Sequence, residues 1–250
     1  MNIADYNDKN YDYTKYWEGR DYENASEFIA LEKLLPKNFV ESKKVIDVGG
    51  GFGRLLPIFK ERFGHIYIFD YSKKLLETAE ENANKLGIKV TLINGNVNEI
   101  GSLVDTNFDC ITMIRVSHHL EDLEKVFLQI KEILNQNGVF ILEIANKIHF
   151  KSVLINLIRR NFNYFNRDSI SVATKSVTFL NHHPKRVEEI LNRCDFKIEK
   201  KLSVSNFRHR FFKKYIPFKL LMLLENLMQG FGAGVYFGPS IFYRISKRIK

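Results

Sequence analysis

Two rhythms of apolar residues alternate along this chain. Short continuous runs at Lys44–Val48, His65–Phe69, Lys89–Asn94, Asp109–Ile114 and Val139–Ala145 predict strands. Between them the spacing turns helical. A first helix is predicted over Phe52–Phe63, with Pro57 near its first turns, where proline does least harm. A second is capped by Ser72 and runs through Leu86 to stop at Gly87. A third covers Glu121–Leu134, with Leu123, Val126, Phe127, Ile130 and Leu134 on one face, and Asn137-Gly138 reads as the turn into the fifth strand. Ahead of all these, Ala25, Phe28, Ile29, Leu31, Leu34 and Leu35 sit near helical spacing until Pro36 ends the run. Apolar strands alternating with helices indicate a parallel sheet covered on both faces. Ligands of such sheets lie at the carboxyl ends of the strands.

Beyond residue 146 the rhythm loosens. Residues 147–181 are basic and aromatic, Pro184–Cys194 reads as a helix and Phe196–Val204 as a strand. Residues 215–229 form an apolar amphipathic helix, and Ser240–Ile245 a last strand. No repeat or low-complexity linker divides the chain, so one domain over 1–250 is expected.

Composition narrows the picture. With 250 residues, 45% of them hydrophobic, the chain fills a sizeable core. Its two cysteines, Cys110 and Cys194, make no metal-spaced pair and cannot hold a three-cysteine iron–sulfur cluster; a reducing, cytoplasmic setting is the expectation. The start of the chain is polar, without the apolar core of a secretory signal, and no run of about 18 apolar residues suggests a spanning helix. The formal charge is +9, from 38 basic and 29 acidic residues, and the excess gathers in 147–219. Such a half meets nucleic acid, an anionic membrane surface or an acidic substrate, or is a lysine-rich solvated face.

The chemistry concentrates at Val45-Ile46-Asp47-Val48-Gly49-Gly50-Gly51-Phe52-Gly53-Arg54. A strand ends in a glycine loop that lets a ligand approach bare backbone, and the helix that follows offers free N–H groups to an anion. The glycines at 49, 51 and 53 read G-x-G-x-G. A dinucleotide fingerprint wants G-x-G-x-x-G, and the third position holds Arg54 or Leu56 instead, which opposes a nicotinamide dehydrogenase.

This loop resembles motif I of the class I S-adenosylmethionine-dependent methyltransferases. Residues 45–145 together resemble a methyltransferase domain of the type 11/25-like, small-molecule kind. Asp70 follows in order, then Asn94-Gly95-Asn96, Phe108-Asp109 with His118-His119, and Leu134-Asn135-Gln136-Asn137-Gly138, where relatives carry Leu-x-Pro-Gly-Gly. The resemblance implies an α/β, Rossmann-like, seven-stranded, mostly parallel sheet of order 3-2-1-4-5-7-6, with Ser240–Ile245 as the antiparallel strand, flanked by helices. It implies S-adenosylmethionine as cofactor. The chain then divides into an N-terminal cover helix (1–40), a cofactor-binding core (41–146), and an acceptor-side lid with the C-terminal sheet strands (147–250).

Such a cofactor has a ribose, an adenine and a zwitterionic methionine end to be held. Asp70 either accepts the ribose hydroxyls or is a turn acid at a strand end. Tyr71 lays its ring on the adenine or packs into the core. Asn96 stands where the family often has an acid for the adenine amino group; with Val97 it borders the cofactor or forms a plain turn. Asp47 lies near the cofactor in the family, or only orders loop amides. Arg115 pairs with the methionine carboxylate or with an acidic substrate, and Arg20 is another candidate for that carboxylate. His119, with His118 second, is the candidate base for an acceptor proton; alternatively one caps the next helix and the other packs against the lid. His182-His183-Pro184 lacks a third ligand and reads as a helix entry, so no metal is expected.

The function expected is methyl transfer to a small-molecule or lipid-like acceptor by in-line displacement. An RNA-modifying enzyme and a non-catalytic S-adenosylmethionine-binding module are the alternatives. The Asp/Asn-Pro-Pro-Tyr/Phe signature of nucleobase amino methylation is absent. For the basic stretch at 208–228 a lid, a membrane contact and a nucleic-acid contact compete.

Overall fold

A computed structural model describes residues 13–173 and 178–248; the first twelve residues of the expected N-terminal cover and residues 174–177 of the expected lid lie outside this range. The strands are β1 (Val40–Val48), β2 (Phe63–Asp70), β3 (Val90–Asn94), β4 (Phe108–Met113), β5 (Leu134–Ala145), β6 (Ile170–Ala173), β7 (Thr178–Asn181), β8 (Phe196–Val204) and β9 (Ser240–Lys247). Among the described residues seven of them form one sheet, ordered β3-β2-β1-β4-β5-β9-β8. Counted along the chain without the β6–β7 hairpin, that order is 3-2-1-4-5-7-6. The first five strands pair in parallel, and β9 runs antiparallel to both β5 and β8, as the resemblance implies.

The helices are α1 (Asp21–Leu34), α2 (Leu56–Phe59), α3 (Lys73–Lys85), α4 (Ile100–Leu103), α5 (Leu123–Ile133), α6 (Phe150–Ile158), α7 (Pro184–Arg193), α8 (Arg210–Tyr215) and α9 (Phe218–Ala233). Because side chains alternate across a strand, neighbours such as Val45 and Ile46, or Cys110 and Ile111, serve opposite faces. Ile46, Ile111, Phe140 and Tyr243 meet α5 and α7 on one side. Val45, Cys110, Ile141 and Phe242 meet α1, α2 and α3 on the other.

Three local expectations give way. The helix predicted over Phe52–Phe63 shrinks to the single turn of α2, and Phe63 opens β2. Gly49, Gly51 and Gly53 all hold positive φ, which no right-handed helix accepts, so the chain stays in turns as far as Leu55. The turn at Asn137-Gly138 is a bulge inside β5: the register jumps from Phe108↔Leu134 to Cys110↔Val139, and the intervening residues loop out of the ladder. The helix expected over 215–229 begins later, after Pro217, which separates α8 from α9. The loosely patterned stretch after 146 also holds α6 and the β6–β7 hairpin, neither of which the apolar spacing announces.

α9 is fastened to α1 and β8 by polar side chains. The fully buried Glu225 carboxylate accepts hydrogen bonds from the Tyr22 hydroxyl at 2.6 Å and from the backbone N–H groups of Ser205 at 2.9 Å and Asn206 at 3.0 Å. One turn on, Gln229 donates to the Ser26 carbonyl at 2.8 Å and accepts from Lys33 at 3.0 Å. Glu225→Ala leaves three donors unpaired, two of them buried. An expected loss of about 2–4 kcal/mol of folding free energy follows, read as a lower urea midpoint. Glu225→Gln, which keeps one acceptor, is expected to fall between the variant and the parent.

Candidate functional site

The loops leaving the carboxyl ends of β1, β2, β3 and β4 enclose a cleft of about 510 Å³. The glycine loop forms its floor. Gly49 has φ +71°, and a Cβ there would run into the Val116 side chain; its N–H donates to the Phe69 carbonyl at 2.7 Å. Gly51, at φ +54°, donates its N–H to Asp70 Oδ2 at 2.9 Å, while Asp70 Oδ1 accepts from the Ser72 N–H at 2.8 Å. Burial raises the Asp70 carboxyl above the ordinary carboxylate range, and the backbone bonds from Ser72 and Gly51 pull it back. Each carboxylate oxygen has a second lone pair, so Asp70 has acceptor capacity left.

Beneath the loop lies Asp47, buried and bonded to the Thr112 hydroxyl at 2.6 Å; burial pushes its carboxyl up to about 7. Its Oδ2 sits 2.9 Å from where a Cβ of Gly50 would be, so Gly50 permits this close approach.

One wall comes from Arg115, which follows β4 with φ +63°, unusual for a side chain of this size. Its backbone N–H donates to Glu143 Oε2 at 2.9 Å. Its guanidinium reaches the buried Glu27 at 3.5 Å and the Tyr16 hydroxyl at 2.5 Å. Glu27 also binds Arg54 at 2.5 Å, and the Arg54 guanidinium lies over the Trp17 ring at 4.0 Å. Arg115 Nε is buried and has no partner among the described residues.

Two residues further on, the Ser117–His119 turn carries both histidines. Their rings are 4.2 Å apart, and Phe179 of β7 packs on His118 at 5.0 Å and His119 at 5.3 Å. The hairpin is pinned to this turn by His182, whose Nε2 is 2.9 Å from the Ser117 carbonyl and whose Nδ1 is 2.9 Å from the Ser169 hydroxyl. Burial, helped by the Arg115 charge, lowers His119 to about 4. Burial holds His118 well below the usual imidazole range, with His119 and Arg115 adding to it. Both rings are therefore neutral at pH 7.

The structure gathers most of the candidates in one place. Gly49, Gly51, Asp70, Tyr71, Asn96, Val97, Arg115 and His119 all line the cleft. Four stand outside its lining. Asp47 lies under the loop, and Gly53 turns the loop toward Leu56, whose side chain a Cβ would strike at 2.6 Å. His118 packs on Phe179. Arg20 is exposed, with its guanidinium over the Tyr16 ring at 4.1 Å. The chain also supplies residues that the motifs left unmentioned. Glu27 shares a helical face with Ala30, Leu31 and Leu34, and Glu143 interrupts the apolar run of β5. A lone acid in an apolar stripe was the available signal. No group of three or more His, Cys, Asp and Glu suited to a metal ion occurs among the described residues.

Comparison with known proteins agrees with this geometry. A family of methyltransferase domains matches residues 40–195, more than half of the chain. An uncharacterized methyltransferase of Bacillus subtilis is 27% identical over 99 residues, 40% of this chain and 39% of that protein. A ubiquinone biosynthesis O-methyltransferase of Rickettsia canadensis is 22% identical over 135 residues, 52% of this chain and 56% of that protein. The chain thus spans about two fifths to just over half the length of these relatives. A solved S-adenosylmethionine-dependent methyltransferase from Clostridium acetobutylicum superposes with a TM-score of 0.62 at 17% identity, over 94% of this chain and 96% of that one. With sheet order, glycine loop and family match in agreement, the chain belongs to the methyltransferase domain family, with the class I, S-adenosylmethionine-dependent fold.

Proposed function

We propose that this chain transfers a methyl group from S-adenosylmethionine to a hydroxyl of a small, lipid-like molecule. The observation that carries the reading is the single cleft joining Gly49 and Gly51, Asp70, Arg115 and His119. When bound, the cofactor supplies a methyl group on a positively charged sulfur. The residues present fit it: two glycines leave the floor bare, Asp70 has spare lone pairs, and Arg115 Nε is a buried donor without an acceptor. Asp70 accepts the ribose hydroxyls. Tyr71 and Val97 would border the adenine, and the Asn96 amide, whose oxygen accepts from the Asn98 N–H at 3.0 Å, would meet its edge. Arg115 takes the methionine carboxylate in preference to the exposed Arg20. Gly53 shapes the loop, and Asp47, bonded to Thr112, packs beneath it.

The cleft walls include Ile114, Val116 and Leu120, and such apolar lining suits a greasy ring or chain better than a phosphate backbone. The Rickettsia relative's name supports an oxygen as acceptor atom. Because the donor is already activated, the chain's main work is to orient the two reactants and exclude water. When the methyl–sulfur bond breaks and the methyl joins the acceptor oxygen, the hydroxyl proton must leave, and the neutral His119 ring would accept it. His118, packed on Phe179, acts by fixing the His119 ring.

Methyl-labelled cofactor incubated with fractionated small-molecule extracts, followed by mass identification, tests the reading; label passing to RNA and to no small-molecule fraction would overturn it. In calorimetry, Asp70→Ala is expected to weaken both S-adenosylmethionine and methylthioadenosine by about tenfold or more, since charge-assisted bonds to the shared ribose are lost. Arg115→Gln should weaken only the former, because methylthioadenosine has no carboxylate. His119→Gln should leave cofactor binding intact and slow turnover by roughly 10²–10⁴-fold. An imidazole lowered to about 4 stays neutral as pH falls through the ordinary histidine range. Turnover that depends on it is therefore expected to persist to pH 5.5 and to fail nearer pH 4, about two units below an unshifted histidine.

A further inference from the structure

Two surface helices carry their apolar side chains on the side that faces away from the protein. α9 turns Leu221, Glu225, Gln229 and Ala233 inward. Leu220, Leu223, Leu227 and Phe231, spaced to share one stripe, point the other way, with Leu227 66% and Phe231 80% exposed. α6 has no buried residue at all; Phe150, Leu154, Leu157 and Ile158 line its outer side, and Ile158 is 73% exposed. α6 meets the segment that follows α9. The Phe150 ring stacks on Phe237 at 5.0 Å, and its N–H donates to the Phe237 carbonyl at 3.0 Å, just past the end of α9. α8 adds Phe211 and Tyr215, exposed and in contact at 5.0 Å.

This apolar face has a basic border. Residues 208–219 include Arg208, Arg210, Lys213, Lys214 and Lys219 and no carboxylate, and residues 150–167 include Lys151, Arg159, Arg160 and Arg167 and again none. Lys213 is paired with Glu23 at 3.0 Å and Arg167 with Glu189, which leaves the other seven for the border. A patch of this extent on a soluble chain marks an interaction surface. Its chemistry selects the occupant. Nucleic acid has nothing to pair with a stripe of aliphatic Leu and Ile. A second copy related by a two-fold axis would bring the same lysines and arginines against each other. An anionic lipid surface satisfies both parts, with acyl chains for the stripe and headgroups for the border.

We infer that the outer faces of α6, α8 and α9 dock this protein on an anionic lipid bilayer, lying in its interface. Among the described residues no helix is long and apolar enough to cross a membrane, which fits docking without insertion. α6 leaves the carboxyl end of β5, the edge of the sheet at which the cleft opens, so docking holds the cleft mouth near the lipid. The docking stands independently of the proposed methyl transfer.

Sedimentation of the whole chain with phosphatidylcholine vesicles, with and without phosphatidylglycerol, tests the inference. Binding to the anionic vesicles is expected to be at least about tenfold tighter than to neutral ones and to weaken with salt. Joint replacement Leu227→Glu and Phe231→Glu should reduce that binding by about tenfold or more, with an unchanged thermal melt because both side chains face solvent. Lys214→Glu with Lys219→Glu should abolish the preference for anionic lipid. A polarity-sensitive dye on Leu223→Cys, selective because Cys110 and Cys194 are buried, should shift to the blue on anionic vesicles. No vesicle binding at low salt, an unshifted dye, RNA binding without vesicle binding, or a dimer dissolved by the Leu227→Glu, Phe231→Glu pair would each overturn it.

Discussion

The backbone between β1 and α2 is held open by three hydrogen bonds from glycines, Gly49 and Gly50 to the Phe69 carbonyl and Gly51 to the Asp70 carboxylate. Both partners stand at the end of β2, the strand that pairs in parallel with β1. The sheet therefore sets the loop, and the loop sets the cleft. Left-handed glycines let the chain turn tightly while keeping its surface free of Cβ atoms, and Gly50 lets Asp47 fill the space below. The same conformations stop a helix from forming until Leu56. The open floor and the shortened helix have one cause.

Around that floor the fold buries charges, which is costly unless each is matched. Glu27 from α1, Arg54 from the loop, Arg115 after β4 and Glu143 from β5 are drawn together from four elements. The arrangement holds Arg115 in a left-handed conformation and occupies most of its guanidinium, leaving Nε without an acceptor among the described residues. The aromatic turn of Tyr16 and Trp17 lies on the two arginines as a cap. His182 ties the β6–β7 hairpin to the histidine turn, so the region beyond β5 is attached to the site by a specific contact.

The carboxy-terminal part divides its labour in an unusual way. α9 uses carboxylate and amide groups to hold the body of the protein and leaves leucines and a phenylalanine outside. Buried polar groups with full complements of partners give a rigid attachment. The outward stripe is then available for something other than folding.

Much of this was legible in the sequence, because its signals are local. Strand runs, the glycine spacing, Ser72 as a cap and Asp70 at a strand end all act over a few residues. The family resemblance added the strand order that local pattern cannot provide. Other features depend on residues far apart in the chain: Arg115 meets Tyr16 across 99 positions, and Glu225 meets Tyr22 across 203. Periodicity shows which residues share a face of α9, but two faces were on offer, one of leucines and one with Glu225 and Gln229. Hydrophobic patterning alone favours burying the leucines. The donors of Tyr22, Ser205 and Asn206, assembled only when α1 and β8 come together, turned the polar face inward.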